Sequence, residues 1–150
     1  MFISEKNLSP SLEDYLECIL FLEKKNRVAR VKDIAEFLRI KMPSVSGALR
    51  NLKEKGLIEY EKNSFIILTK SGCRIAGSVQ KRHSILKRFL LNILLLSDKD
   101  AEEQACRIEH VVSPSTTNRI KNMTLFLEDS LLQKKEYSGD GWRKILSGDD

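Results

Sequence analysis

Residues 31–69 read VKDIAEFLRIKMPSVSGALRNLKEKGLIEYEKNSFIILT, and their apolar pattern changes period once along the way. Up to Lys55 the apolar residues recur every three or four positions, which predicts two short amphipathic helices. Pro43 suits the first position of the second helix, and Gly56 is a typical C-terminal stop. Beyond Gly56 the apolar residues alternate, which predicts strands at 57–61 and 65–69 joined by a tight turn. Two short helices followed by a β-hairpin wing are the order of a winged helix-turn-helix.

Basic residues are concentrated around this stretch. From Lys24 to Lys55 the chain has ten basic and three acidic residues, a local charge of +7, whereas the remainder carries −2. Such a block suits a surface that faces DNA phosphates, although a solvated helix face would have the same composition. We predict that DNA is contacted by Arg30, just before the first short helix, and by Lys62 in the wing. The other predicted contacts lie on the second short helix: Pro43, Ser44, Ser46, Gly47 and Arg50.

The remaining segments are helical in pattern. A first helix is expected from Ser11, as N-cap, to about residue 25, a long helix from about residue 70, and two more over about 99–111 and 114–132. This second half is more apolar than a single chain needs, which suggests a homodimer. We therefore expect a mainly α fold in three parts: a winged helix-turn-helix over 1–72, an all-helical dimerisation domain over 73–132, and a polar, flexible tail over 133–150 in which Trp142 to Leu146 are compatible with a short helix.

Composition excludes several classes of protein. The 150 residues have a mean hydropathy of −0.30, and the longest apolar run, Phe89 to Leu96, is interrupted by Asn92. Neither a membrane span nor a signal-peptide core is present, and three irregularly spaced cysteines do not form a disulfide framework. The sequence therefore predicts a soluble cytoplasmic protein without a membrane partner.

Several side chains have the types and spacing of a transition-metal site. Cys106, Glu109 and His110 stand at i, i+3 and i+4, so a helix would present a thiolate, a carboxylate and an imidazole on one face. A buried core cysteine beside a surface Glu-His pair would have the same residue types at the same spacing. His83 on the preceding long helix, and the carboxylates of Asp14 and Glu17 on the first helix, strengthen the metal interpretation.

Three segments resemble the diphtheria-toxin-repressor and manganese-transport-regulator family: SLEDYLE at 11–17, VKDIA at 31–35 and ACRIEHVVS at 105–113. The resemblance covers roughly residues 9–130. It implies a dimeric repressor that a divalent transition metal activates, so that it binds double-stranded DNA operators of metal-uptake genes. It also implies the short, two-domain form, without the SH3-like third domain of the iron-responsive branch, and no small organic substrate.

The resemblance implies a hybrid set of metal ligands. Asp14 and Glu17 look like ligands of the manganese branch, whereas Cys106 matches the iron branch; His83, Glu109 and His110 match both. The expected cofactor is therefore Mn²⁺ or Fe²⁺, and Co²⁺ or Zn²⁺ are expected to bind in vitro, since a thiolate favours softer ions. Lys87 stands where related proteins often have an acidic residue, and Glu102 is a weak candidate to substitute for it.

Two other functions are compatible with parts of this pattern. A metal-independent winged-helix regulator would keep the DNA-binding half and make no use of the six candidate ligands. A small metalloenzyme would use them to activate water, but the chain has no glycine-rich phosphate loop, nucleophile elbow or His-Glu-x-x-His run. We therefore expect a regulator and not an enzyme.

Overall fold

The computed structural model describes residues 8–61, 64–134 and 140–148, which form two compact units, Met1–Gln80 and Lys81–Asp150. The expected fold class is confirmed: the chain is mainly helical, with one small antiparallel hairpin in its N-terminal half. The elements are α1 Pro10–Asn26, α2 Val31–Leu38, α3 Met42–Glu54, β1 Ile58–Glu59, β2 Ile67–Leu68, α4 Lys70–Asn92, α5 Asp98–Ile108, α6 Pro114–Phe126, a π-helical turn Leu127–Leu131 and α7 Asp140–Ser147.

The first unit is built around one apolar core. The buried stripes of its helices supply most of this core, because each helix has apolar residues three or four positions apart. Leu16 and Ile19 come from α1, Ile34 from α2, and Leu49 and Leu52 from α3. All five are fully buried. Helix α3 therefore packs against the core with one face, and its opposite face is exposed to solvent.

The wing is shorter than the sequence pattern predicts. Ile58 pairs with Leu68 and Glu59 with Ile67, and Ile66 forms an isolated bridge with Ala29. Leu57 falls outside the ladder because its amide donates to Leu52 O at 3.0 Å, which closes the end of α3. The turn residue Lys62 lies outside the described residues.

Helix α1 begins two residues earlier than predicted. Ser9, not Ser11, caps it: the Ser9 hydroxyl accepts from the Leu12 amide at 3.3 Å, and Pro10 occupies the first helical position. A proline at that position loses no hydrogen bond, and this favours the earlier start. The helix ends at Asn26, and its C-cap is Arg27, whose φ of 65° lies in the left-handed region.

A close approach joins the wing to the start of α4. Thr69 Oγ1 accepts from the Gly72 amide at 3.1 Å and donates to Gly56 O at 2.8 Å. A Cβ on Gly72 would overlap Leu57 O, so only glycine fits where the helix crosses this backbone. The wing and α4 are thereby held in one arrangement within the first unit.

The second unit packs the C-terminal part of α4 against α5 and α6. Leu86 and Leu90 of α4 and Ala101 and Ala105 of α5 form its buried cluster. Ser97 caps α5, as predicted from its position before Asp98. Ser113 caps α6.

The end of the chain contains a helix that contacts α4. Trp142 of α7 donates its indole N–H to Ile93 O at 2.7 Å. The sequence suggests a linker over 137–141: residues 137–139 lie outside the described residues, and Asp140 and Gly141 instead begin α7.

No helix within the described ranges combines the length and the apolar character needed to cross a membrane.

Candidate metal centre and nucleic-acid interface

The centre of the candidate metal site is a contact between α4 and the end of α5. His83 Nδ1 lies 2.7 Å from Glu109 Oε2. The Glu109 side chain is 1% exposed and that of His83 is 14% exposed, so both groups are largely out of water. An arginine from α4, Arg82, donates to Glu109 main-chain O at 2.9 Å, which fixes the backbone that carries the carboxylate.

Two further candidate ligands lie beside this contact. Cys106 Sγ is 3.8 Å from His83 Nδ1, and His110 Nε2 is 3.5 Å from Glu109 Oε1. Cys106 lies on α5, whereas His110 lies beyond it, because the helix ends at Ile108 and not at residue 111: Glu109 is its C-cap, and the Val111 amide bonds back to Ile108 O. Four of the six predicted ligands are thus brought together in one unit: His83, Cys106, Glu109 and His110.

The electrostatics of the pair favour a cation. The hydrogen bond to Glu109 raises the pKa of His83 to about 9, with smaller contributions from the charges of Glu109 and Glu102, against the lowering effect of burial. The carboxylates thus hold a positive charge at this position in the form of a proton on His83. A metal ion bound by His83 would compete with that proton, because the ligand must be the neutral imidazole.

The residues present fit a divalent transition metal. Glu109 Oε1 is buried and has no hydrogen-bond partner among the described residues. An unsatisfied buried carboxylate oxygen is costly, and a metal ion is one of the groups that relieve it. Imidazole nitrogen, thiolate sulfur and carboxylate oxygen are the donors that Zn²⁺, Fe²⁺ and Co²⁺ take in proteins.

Asp14 and Glu17 lie on α1 in the first unit, one turn apart and both partly exposed. Their spacing places the two carboxylates on one side of that helix. Their role as ligands stays a prediction.

A second set of charges adjoins His83 on its other side. Glu102 Oε1 lies 3.3 Å from His83 Nε2, and Glu102 Oε2 lies 2.8 Å from Lys87 Nζ. Lys87 Nζ is also 3.1 Å from Asp98 Oδ1. Sequence analysis singles out Lys87 and Glu102 only because they relate to a departure from the family pattern. It does not single out Asp98, because an acidic residue in the first turn of a helix is ordinary.

The exposed face of α3 carries most of the predicted DNA contacts. Pro43 and Ser44 lie exposed in its first turn, and Arg50 is exposed two turns later. A Cβ on Gly47 would meet no heavy atom of the described residues within 4 Å, so this position is open to a ligand. Ser46 is the exception, because its hydroxyl donates to Met42 O at 3.2 Å and is only partly exposed.

The wing side of this surface includes Arg30. Its guanidinium lies over the Phe65 ring, 5.1 Å from the centroid. A cleft of about 340 Å³ separates the start of α3 from the wing and is lined by Arg30, Met42, Ser46, Tyr60 and Phe65, among others. Met42 and Phe65, 51% and 46% exposed, were missed as surface candidates because apolar residues in a periodic pattern are usually assigned to the core.

The basic block faces solvent, as a phosphate-binding surface requires. Of its ten basic residues only Lys55 is partly covered, and the other nine are exposed. Helix α3 has no side-chain cap hydrogen bond at Lys41, so no capping side chain covers the positive end of its dipole.

Comparison with known proteins finds a matching family model for each half of the chain. Residues 7–65 match the iron dependent repressor, N-terminal DNA binding domain, and residues 69–136 match the iron dependent repressor, metal binding and dimerisation domain. An uncharacterized HTH-type transcriptional regulator of Methanocaldococcus jannaschii is 36% identical over 122 residues, 81% of this chain and 95% of that protein.

A second relative and a solved structure also match. The HTH-type transcriptional regulator MntR of Bacillus velezensis is 34% identical over 128 residues, 85% of this chain and 89% of that protein. The solved structure of the manganese regulator SloR superposes with a TM-score of 0.70 at 29% identity, over 79% of this chain. This chain spans only 55% of the SloR chain. With the winged helix, the helical second unit and both domain matches in agreement, the chain belongs to the iron-dependent repressor family of DNA-binding transcriptional regulators.

Proposed function

We propose that this chain represses transcription when a divalent metal ion binds to His83, Cys106, Glu109 and His110, with Asp14 and Glu17 as further ligands from α1. The observation that carries the proposal is the buried Glu109 carboxylate, which faces both histidines and has one oxygen without a hydrogen bond among the described residues. Bound metal supplies the positive charge that this carboxylate lacks when His83 is neutral. Such a function is regulatory, as in the family at large, and requires no catalysis.

Metal acts on DNA binding through linkage. The ion favours the DNA-competent form only by binding it more tightly than the alternative form, and DNA then raises the metal affinity by the same factor. The winged helix supplies the DNA contact, with Arg50, Ser44 and Gly47 on the open face of α3 toward the major groove. Two copies are needed to match a two-fold operator, and the family's dimerisation domain supports this assembly.

The physiological ion is proposed to be Mn²⁺ or Fe²⁺, and Cys106 is the residue that decides between them. The similarity to the manganese regulator SloR supports the first ion. The Cys106 thiol, 3.8 Å from His83 Nδ1, supports the second, because sulfur is a softer ligand than a carboxylate. Cys106→Glu should therefore strengthen the binding of Mn²⁺ relative to Fe²⁺, Co²⁺ and Zn²⁺, whereas Cys73→Glu on α4 is the control, because its cysteine is also exposed.

The proposal is tested by fluorescence anisotropy of labelled operator DNA, with candidate operators taken from metal-uptake genes. The protein is titrated anaerobically with chelator, then with Mn²⁺, Fe²⁺, Co²⁺ and Zn²⁺ in turn. We expect tight binding only with metal, and loss of the metal effect in Glu109→Gln. Equal affinity with chelator and with every metal would identify a metal-independent regulator and refute the proposal. Scrambled DNA of the same length distinguishes a wrong operator from a failure to bind DNA.

A further inference from the structure

The imidazole of His83 has different neighbours at its two nitrogens. Nδ1 faces Glu109 Oε2 at 2.7 Å and Cys106 Sγ at 3.8 Å, whereas Nε2 faces Glu102 Oε1 at 3.3 Å. The Nδ1 side is the side of the candidate ligands Glu109 and His110. The Nε2 side is the partly exposed side, where the Glu102 side chain is 50% exposed.

Glu102 is placed by the regular spacing of two helices. It precedes Cys106 by one turn of α5, and Lys87 follows His83 by one turn of α4, so each helix presents its pair on one face. The ligand atoms of His83, Glu102 and Cys106 all lie within 4.8 Å of one another. By distance alone, Glu102 is thus a candidate metal ligand as well as a hydrogen-bond acceptor for His83.

Lys87 favours the second role. Its ammonium group lies 2.8 Å from Glu102 Oε2 and 3.1 Å from Asp98 Oδ1, so the charge of Glu102 is already paired with a cation that belongs to the chain. The same ion pair lowers the pKa of Glu102, which keeps its carboxylate ionised and able to accept a hydrogen bond. A divalent ion bound by Glu102 would have to share that carboxylate with the Lys87 ammonium.

We propose that Glu102 is a positioning residue for the metal centre: it accepts the Nε2–H of His83 and so leaves Nδ1 as the ligand atom, while Lys87 and Asp98 hold Glu102 in place. Metal-bound histidines in proteins regularly donate their second N–H to a carboxylate, which fixes the tautomer and the ring orientation. The inference rests on the proposed function, because it assigns a role toward the same metal.

The first test compares metal affinity and the number of bound ions, using Zn²⁺ in competition with a chromophoric chelator. Glu102→Ala should weaken binding by about 10- to 100-fold and leave the number of ions per chain unchanged. Glu102→Gln keeps an acceptor oxygen and should recover much of that loss. Glu103→Gln, on the next residue of α5, is the matched control and should bind like the wild type. Loss of one ion per chain in Glu102→Ala, or wild-type affinity, would overturn the assignment.

The second test reads the tautomer of His83 directly. The chain has two histidines, so ¹⁵N correlation spectra of the Zn²⁺-bound protein contain only two imidazoles. We expect a protonated Nε2 and a metal-bound Nδ1 for His83 in the wild type, and loss of this single tautomer in Glu102→Ala but not in Glu103→Gln. A metal-bound Nε2 in the wild type would contradict the role of Glu102 while leaving the metal centre intact. If Zn²⁺ shifted neither imidazole, the proposed metal centre would be wrong as well.

Discussion

Two glycines of α4 are expected to respond in opposite directions to the same substitution. A Cβ on Gly72 would overlap Leu57 O and come within 3.2 Å of Leu68 Cδ2. Leu57 O is not free to move away, because it accepts from the Thr69 amide at 3.0 Å. A Cβ on Gly77, by contrast, would meet no heavy atom of the described residues within 4 Å.

The magnitudes follow from two competing effects. Replacing glycine by alanine inside a helix gains about 0.5–1 kcal/mol through the unfolded chain, and overpacking costs about 1–3 kcal/mol. Gly77→Ala should therefore raise the melting temperature by roughly 2–8 °C, since about 1 kcal/mol corresponds to roughly 4–8 °C in a compact unit of about 60–100 residues. Gly72→Ala should lower it by up to roughly 20 °C, because the neighbouring atom is backbone and overpacking of up to about 3 kcal/mol outweighs the helix gain.

Thermal unfolding followed by far-ultraviolet circular dichroism measures both variants against the wild type. The reasoning fails if Gly72→Ala melts at or above the wild-type temperature, because the close approach to Leu57 would then not exist. A decrease for Gly77→Ala would show that its surroundings are more crowded than the structure indicates.

Three further predictions concern the candidate metal site, the DNA-binding surface and the N-cap of α6. Because Glu109 raises the pKa of His83 to about 9, metal must displace a proton from this side chain. Metal affinity should therefore rise up to roughly tenfold per pH unit between pH 6.5 and 8.5. A metal affinity that does not change with pH in competition titrations would be inconsistent with His83 as a ligand. Arg50→Ala should cost about 1–3 kcal/mol of DNA affinity for a base contact, or reduce the salt slope by about 1 for a phosphate contact, and no change in either quantity would remove Arg50 from the interface. Ser113→Ala removes the hydroxyl that accepts from the Thr116 amide at 3.1 Å and should destabilise the protein by about 1 kcal/mol in urea unfolding, whereas an unchanged midpoint would mean that the cap is dispensable.

Most of the fold could be predicted because its elements are marked by strong local signals. The 3.6-residue period and Gly56 mark α3, although Pro43 lies at its second position and not at its first, and serine N-caps before Asp98 and Pro114 mark the starts of α5 and α6. The start of α1 was misplaced because two serines flank Pro10 and either is a good cap on sequence grounds. The strands were overextended because alternation continues through residues whose amides are used by neighbouring segments.

The sequence predicts which residues belong to the candidate site, but it does not predict how they are arranged. The spacing of Cys106, Glu109 and His110 placed three donor groups near one another, but it assigned all three to one helical face. In the structure Glu109 is buried and Cys106 exposed, and the difference depends on how α4 packs against α5. The pairing of Lys87 with Asp98 and Glu102 depends on the same packing, which no local pattern encodes.

Trp142 gives the second unit its own optical signal. It is the chain's single tryptophan, half-buried, and its indole is hydrogen-bonded to Ile93 O at the end of α4. In the first unit the described aromatic hydroxyls are those of Tyr15 and Tyr60. Excitation at the red edge of the absorption band, where tyrosine is silent, therefore reports on residues 81–150 alone, so that unfolding of the metal-binding half can be followed separately from unfolding of the winged helix.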